Sequence, residues 1–327
     1  MNTASTQFVI LAGVLGSGKT SLLEALLDSG SGESTAVIVN EVGAINIDGA
    51  VLSESARGMT MATLSNGCVC CSLSNDLVTT VEELVALREE AGREPFERIV
   101  LECSGLSQPG AVMRSLEQLA QLRFRLHIAA TYDCSRPPLD CDFDNASAQL
   151  TAAHAVVLTK IDLVSAERRT QARSVVAGIN PMARIVDEFA PSNRAREAFA
   201  EVDALVSPQI VDSEPMRSRE TLLHPRVRVF RARFIQQPIW DEVLDWLENI
   251  AGMTGDRLLR MKAIVAGPHG SDRVLLQSVG TTFAAPRRLA TTAFDDLAAV
   301  FIVRDCAMVE LQQVDGTCEV SWTALQR

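Results

Sequence analysis

The sequence predicts an α/β protein in which a mostly parallel sheet, covered by helices on both faces, is followed by a smaller α+β unit. Three observations carry that expectation. The chain has 327 residues, which at about 150 residues per domain suggests two domains. Over its first part, short apolar runs alternate with amphipathic stretches, the pattern of strand-helix units wound into a parallel sheet. Near 207–225 the periodicity breaks into Pro, Ser and charged residues, as at a linker. The expected organisation is therefore a first domain over 1–206, a linker over 207–225 and a second domain over 226–327.

Taken in order, the apolar runs at 8–12, 36–39, 99–101, 127–132, 155–158 and 185–186 read as buried strands. Between them, 19–27, 76–90, 111–122 and 166–177 place apolar residues three or four apart and read as helices. Beyond the linker, 226–234 alternates like a strand, 239–250 reads as a helix, and 274–279 and 299–303 return to strand-like runs. Trp240 and Trp246 on that helix read as core, the alternative being a face for a client or a second protomer.

Lys plus Arg number 30 against 41 Asp plus Glu, a net charge of −11, with 47% hydrophobic and 22% charged residues. Those proportions exclude disorder and fibrous structure. An acidic surface repels phosphate backbones and anionic headgroups, so neither nucleic acid nor membrane is expected as a partner. The N-terminus carries no early Lys or Arg, and the apolar run from Phe8 stops at Gly16. Neither a signal peptide nor a spanning helix is expected, and the expected location is cytoplasmic. Eight cysteines are too sparse for a disulfide scaffold in a chain of this length.

Gly13-Val14-Leu15-Gly16-Ser17-Gly18-Lys19-Thr20 fits G-x-x-x-x-G-K-[ST] directly after an expected strand and before an expected helix. Gly13, Gly16 and Gly18 let the backbone curl so that successive N–H groups face a phosphate chain, and the helix N-terminus adds partial positive charge. Lys19 reaches the terminal phosphates, Thr20 ligates Mg²⁺, and Ser17 and Ser21 complete the binding loop. This is the loop of a P-loop NTPase domain. In Arg98-Ile99-Val100-Leu101-Glu102-Cys103-Ser104-Gly105, Glu102 ends a buried strand where such a domain needs an acid beside its metal. Gly105 can offer its N–H to a γ-phosphate. The plainer alternative makes Glu102 a strand cap and Gly105 the start of a turn.

Thr159-Lys160-Ile161-Asp162 closes another strand. A carboxylate at Asp162 accepts from the ring N–H and exocyclic amine of guanine, whereas adenine presents no such pair of donors. GTP is therefore expected over ATP, with Thr159, Lys160 and Asp162 as the base-side residues. Between the phosphate loop and Glu102 lies Gly67-Cys68-Val69-Cys70-Cys71-Ser72. Thiolates at Cys68, Cys70 and Cys71 can converge on one cation such as Zn²⁺, Co²⁺ or Cu⁺ and leave a tetrahedral position open. That suits a metal that must be released. The alternatives are buried packing and a Cys70–Cys71 redox pair.

In this order the motifs resemble those of the CobW-like metallochaperone GTPases of the SIMIBI class. Residues 13–20 match the family's phosphate loop, Asn40-Glu41-Val42-Gly43 with Ile47-Asp48 its N-E-F-G…I-D, 67–71 its G-C-[IVL]-C-C, and Glu102-Cys103-Ser104-Gly105 its E-[TC]-[ST]-G. Arg257-Leu258-Leu259-Arg260-Met261-Lys262 resembles the L-L-R-x-K of the family's C-terminal domain. The resemblance implies slow GTP hydrolysis with Mg²⁺, binding of a transition metal, Zn²⁺ or Co²⁺, through the cysteine trio, and delivery to a client metalloprotein; a homodimer is a separate candidate assembly, through the second domain. The sequence departs from the family at Ala44, where a Glu is common, at Val42 for Phe, at Thr159 for Asn and at Ala263 for Gly, and it has no His-rich stretch.

The mechanism these residues suggest is a switch. GTP and Mg²⁺, held by Lys19, Thr20 and Glu102, order residues 40–48 and the cysteine segment, so that nucleotide state sets metal affinity. The phosphate loop alone also fits a small-molecule kinase or ligase, and the cysteines also fit a thiol redox sensor. Within the preferred class, a maturation factor for one enzyme, like the nitrile hydratase activators, stands beside a general zinc-allocation protein.

Overall fold

The structure is a computed structural model and describes residues 6–31, 33–40, 53–54, 60–64, 72–140, 142–200, 226–270, 272–289 and 297–325. The expected linker at 207–225 lies outside the described residues. The chain divides into two compact units, one formed by Met1–Ala172 with Ala183–Val202 and one by Arg173–Met182 with Asp203–Arg327.

The first unit is built on strands β1 (Gln7–Ala12), β2 (Thr35–Asn40), β3 (Ser53–Glu54), β4 (Thr60–Leu64), β5 (Arg98–Glu102), β6 (Arg125–Asp133), β7 (Ala155–Thr159) and β8 (Arg184–Val186). Their order is β3-β4-β2-β5-β1-β6-β7-β8. Every pairing is parallel except β3 with β4. The runs that predicted these strands are continuous rather than alternating because β1 and β7 are buried along their whole length, as parallel strands under helices on both faces must be. The helices are α1 (Lys19–Leu26), α2 (Ser72–Glu90), α3 (Pro109–Leu116), α4 (Phe143–Ala152), α5 (Ala166–Ile179), whose residues from Arg173 onward are grouped with the second unit, and α6 (Pro191–Phe199). One core layer joins Leu22 and Leu26 of α1 and Phe199 of α6 to Val9, Val100 and Val157 of the sheet. Because the seven parallel strands run the same way, the loops after β1, β5, β6 and β7 gather at one edge.

The helix expected over 111–122 is two pieces. α3 opens on a proline in its first turn, where the missing N–H costs nothing, and gives way to a tighter 3₁₀ stretch, Glu117–Leu122, bent at Leu119. Helices α4 and α6 escaped the periodicity reading. Buried α4 positions mix Ala146, Leu150 and Ala152 with Ser147, Gln149 and Thr151, and α6 buries only Ala195, Ala198 and Phe199, so each has a single large apolar residue on its buried face.

The second unit is an antiparallel sheet of β9 (Val227–Phe234), β10 (Leu258–Ala266), β11 (Arg273–Val279), β12 (Thr282–Phe283), β13 (Arg287–Leu289), β14 (Ala298–Arg304) and β15 (Val320–Ala324). Its order is β12-β11-β10-β14-β9-β15, with β13 on β11. Helix α7 (Trp240–Thr254) lays Trp246, Leu247 and Ile250 against Phe230, Met261 and Phe301, and Trp240 packs partly buried on the same cluster. Trp246 meets Phe234, Phe301 and Trp322 at 5.6, 5.8 and 6.0 Å between ring centroids, so the core reading of both tryptophans holds. A short helix, α8 (Met308–Gln312), completes the unit. Central strand β10 is buried throughout, yet it carries Arg260 and Lys262 on the positions between its core residues Met261, Ala263 and Val265. Burial, reinforced by the charges of Arg260 and Arg287, drives the Lys262 ammonium well below its usual pKa. No helix among the described residues is long and apolar enough to cross a membrane.

Candidate functional site: a phosphate loop and a base corner

The loop between β1 and α1 folds as its glycines foretell. Gly13 sits at φ 146°, and a Cβ there would strike the hydroxyls of Thr131 and Ser17. That opening is used by Ser17, whose Oγ donates to the Val14 carbonyl at 2.7 Å and pairs with Thr131 Oγ1 at 2.6 Å. Lys19 opens α1 and is 8% exposed. Its Nζ donates to the carbonyls of Gly13 at 2.7 Å and Val14 at 3.2 Å, so the ammonium is held over the loop's own backbone. Burial lowers its pKa, against the opposing charges of Glu102 and Cys103.

Glu102, at the end of β5, accepts a 2.8 Å hydrogen bond from Thr20 Oγ1 at its Oε1. Two residues chosen from sites 82 apart in sequence thus converge at the strand edge. A hydroxyl and a carboxylate are hard oxygen donors of the kind Mg²⁺ takes, so the pair fits that ion. The neighbouring Cys103 is buried and its thiol is pushed up to about 12 by desolvation, which leaves it inert as a nucleophile. Gly105 lies where a Cβ would come within 2.6 Å of the Leu15 backbone nitrogen, so the two loops touch only because residue 105 has no side chain. The Gly105 carbonyl is held from behind by Asn145 Nδ2 at 2.8 Å and Gln149 Nε2 at 3.0 Å, both from α4.

At the end of β7, the Thr159 Oγ1 hydroxyl is shared between the Ser17 carbonyl at 2.7 Å and the Tyr132 carbonyl at 3.1 Å. The threonine that stands for the commoner asparagine therefore ties β7 to the phosphate loop. Lys160 takes a left-handed backbone, φ 53°, and its Nζ lies 2.5 Å from Asp133 Oδ2. Burial opposes the ionised form of Asp133, but Lys160, the Ser135 hydroxyl and the backbone N–H groups of Ser135 and Arg136 outweigh it and hold its pKa below the usual value. Ile161 buries into the unit while Asp162 stays exposed. Ser21 follows Thr20 on an exposed position of α1.

Asp133, Asn145, Gln149 and Thr131 were not found by motif. The first had a signal, an acid at the end of a predicted strand like Glu102; the others had none. Cys68, Cys70 and Cys71, together with 41–48, lie outside the described residues. Among the described residues, no group of three or more His, Cys, Asp or Glu is arranged to hold a metal ion.

A phosphate loop joining the first strand of a parallel sheet to its helix, with a hydroxyl–carboxylate pair beside it, defines a P-loop nucleotide-binding protein. Residues 7–187 match the CobW/HypB/UreG nucleotide-binding domain and 227–318 the cobalamin synthesis protein cobW C-terminal domain, and the chain belongs to the CobW family. The zinc chaperone YjiA of Escherichia coli is 27% identical over 283 residues, 84% of this chain and 86% of that protein. The zinc-regulated GTPase metalloprotein activator 1 of Schizosaccharomyces pombe is 32% identical over 187 residues, 54% of this chain but 44% of that protein. The crystal structure of Zn(II)-bound YjiA GTPase from E. coli shares the fold, with a TM-score of 0.67 at 22% identity over 96% of this chain and 98% of that one.

Proposed function

We propose that this protein is a GTP-hydrolysing metallochaperone that binds a transition metal, Zn²⁺ or Co²⁺, through Cys68, Cys70 and Cys71 and hands it to a client metalloprotein in a nucleotide-dependent way. The setting is the cytoplasm, and the functional division is a nucleotide domain over 1–206 and a second domain over 226–327. The observation that carries the reading is the register at one sheet edge. Val39 of β2 pairs with Glu102 of β5, and Asn40 of β2 pairs with Leu64 of β4. The chain leading to Cys68 thus departs from the sheet two strands from Glu102, about 10 Å away at ordinary strand spacing. Cys68 follows Leu64 by four residues, which span at most about 14 Å. The segment that begins at Asn40 departs from the strand between them.

In this mechanism Lys19 and the loop N–H groups bind the β- and γ-phosphates, Gly105 N–H meets the γ-phosphate, and Thr20 and Glu102 would hold Mg²⁺, which when bound would supply charge neutralisation at the phosphate oxygens. Loss of the γ-phosphate frees Gly105 and, through the shared sheet edge, loosens the cysteine segment. Complete switching between 1:99 and 99:1 requires about 10⁴-fold differential affinity. The names of the relatives, a zinc chaperone and a zinc-regulated GTPase, support Zn²⁺ as the first cargo to test. The test is a competition titration of reduced protein with Zn²⁺ and with Co²⁺, in GTP-analogue and GDP forms. Stoichiometric binding that is tighter in the analogue form and lost in Cys70→Ala/Cys71→Ala is expected. Equal affinity in both nucleotide forms contradicts the coupling.

A further inference from the structure

The turn after β8 bears on the base. Parallel pairing of Val157 with Val186 brings the end of β8 beside the end of β7, so the turn 187–190 leaves the sheet next to 160–163. From the first turns of α6, Arg194 reaches back into it. Its Nε donates to the Glu188 carbonyl at 2.6 Å and its Nη2 to the Phe189 carbonyl at 3.0 Å. Burial draws the Arg194 guanidinium below its usual pKa, and among neighbouring charges Asp162 is the strongest pulling it back, ahead of Cys134 and Glu188. The Arg194 donors go to two carbonyls of the turn, and among the described residues no hydrogen bond engages the Asp162 carboxylate.

The same clamp fixes Phe189. A phenylalanine would normally turn inward, but this ring is 57% exposed, and Arg169 of α5 lies on it with its guanidinium carbon 4.7 Å from the centroid. Leu163, beside Asp162, is 68% exposed. An exposed aromatic backed by a cation on a fixed turn is a stacking platform for a base, a contact tolerant of base identity because every base has a π-face.

We propose that Phe189 forms a wall of the purine site, stacking on the base whose edge Asp162 reads, and that Arg194 is the positioning residue that holds this wall by its two carbonyls. The base selectivity of the inference rests on the guanine reading above; the stacking does not. The experiment is calorimetric titration of the full chain with GDP, IDP, ADP and inorganic pyrophosphate. Phe189→Ala is expected to weaken GDP and IDP about tenfold while leaving pyrophosphate unchanged, with Phe189→Tyr restoring native affinity. Arg194→Ala is expected to weaken GDP by a similar factor. Arg194→Lys, which keeps the charge but cannot fork to both carbonyls, is expected to stay weak. Native GDP affinity in Phe189→Ala, or loss of pyrophosphate binding in step with GDP, overturns the wall. Recovery in Arg194→Lys overturns the positioning role. Should the native chain bind GDP and ADP alike, the guanine reading fails, and the wall is still judged by whether Phe189→Ala weakens both.

Discussion

At the phosphate loop, Lys19, Thr20, Glu102, Ser17 and Thr159 are all hydrogen-bonded to one another or to the loop, whereas at the proposed base end Asp162 is exposed and Leu163 and Phe189 stand 68% and 57% open. Both ends sit on the same sheet edge, yet only one is closed upon itself. Under the proposed function, the difference follows from what each must recognise. Phosphates are common to all nucleotides and are met by a backbone cradle whose shape is fixed in advance. A base is chosen by an acceptor that must be left unclaimed until the right donors arrive, because discrimination comes from the cost of leaving that acceptor unpaired.

The largest expected effect separates the two ends. Asp162→Asn should erase a preference for GTP over ATP that can reach about 10⁴-fold and shift it toward XTP, with inorganic pyrophosphate binding unchanged; titration of the three nucleotides checks this. Lys19→Ala acts at the closed end and should lower turnover by about 10²–10³-fold whatever the base, measured by phosphate release from GTP. Gly105→Ala forces a methyl against the Leu15 backbone and should destabilise the first unit by about 1–3 kcal/mol while weakening γ-phosphate sensing, seen as a narrowed gap between GTP-analogue and GDP affinities.

The smallest effect lies in the second unit. Lys262 has a depressed pKa when folded and an ordinary one, about 10.4, when unfolded. Between those two values unfolding takes up a proton, so stability rises with pH across that window and the contribution flattens above it. Lys262→Met should raise the thermal midpoint by about 2–4 °C and remove that rise, as followed by melting from neutral to alkaline pH.

How much of this the sequence disclosed depended on distance along the chain. The phosphate loop was legible because its glycines, Lys19 and Thr20 are contiguous and the flanking strand and helix are strongly patterned. Glu102 and Asp162 were legible as acids at strand ends. Lys160 was found, but its partner Asp133, 27 residues earlier, was not, and neither were Asn145 and Gln149, which act on Gly105 from 40 and 44 residues away. Such pairs exist only once the sheet is assembled. Strand β10 was missed for the opposite reason: Arg260 and Lys262 interrupt its apolar pattern, although both are buried, at 1% and 6% exposure.

The most direct test of the proposed switch is the affinity of the GTP analogue and of GDP for reduced protein, each measured with and without saturating Zn²⁺. Linkage requires that bound Zn²⁺ tighten the analogue relative to GDP by the same factor by which the analogue tightens Zn²⁺, and the account predicts a clear preference of this kind that vanishes in Cys70→Ala/Cys71→Ala. Analogue and GDP affinities that are indifferent to Zn²⁺ would contradict it.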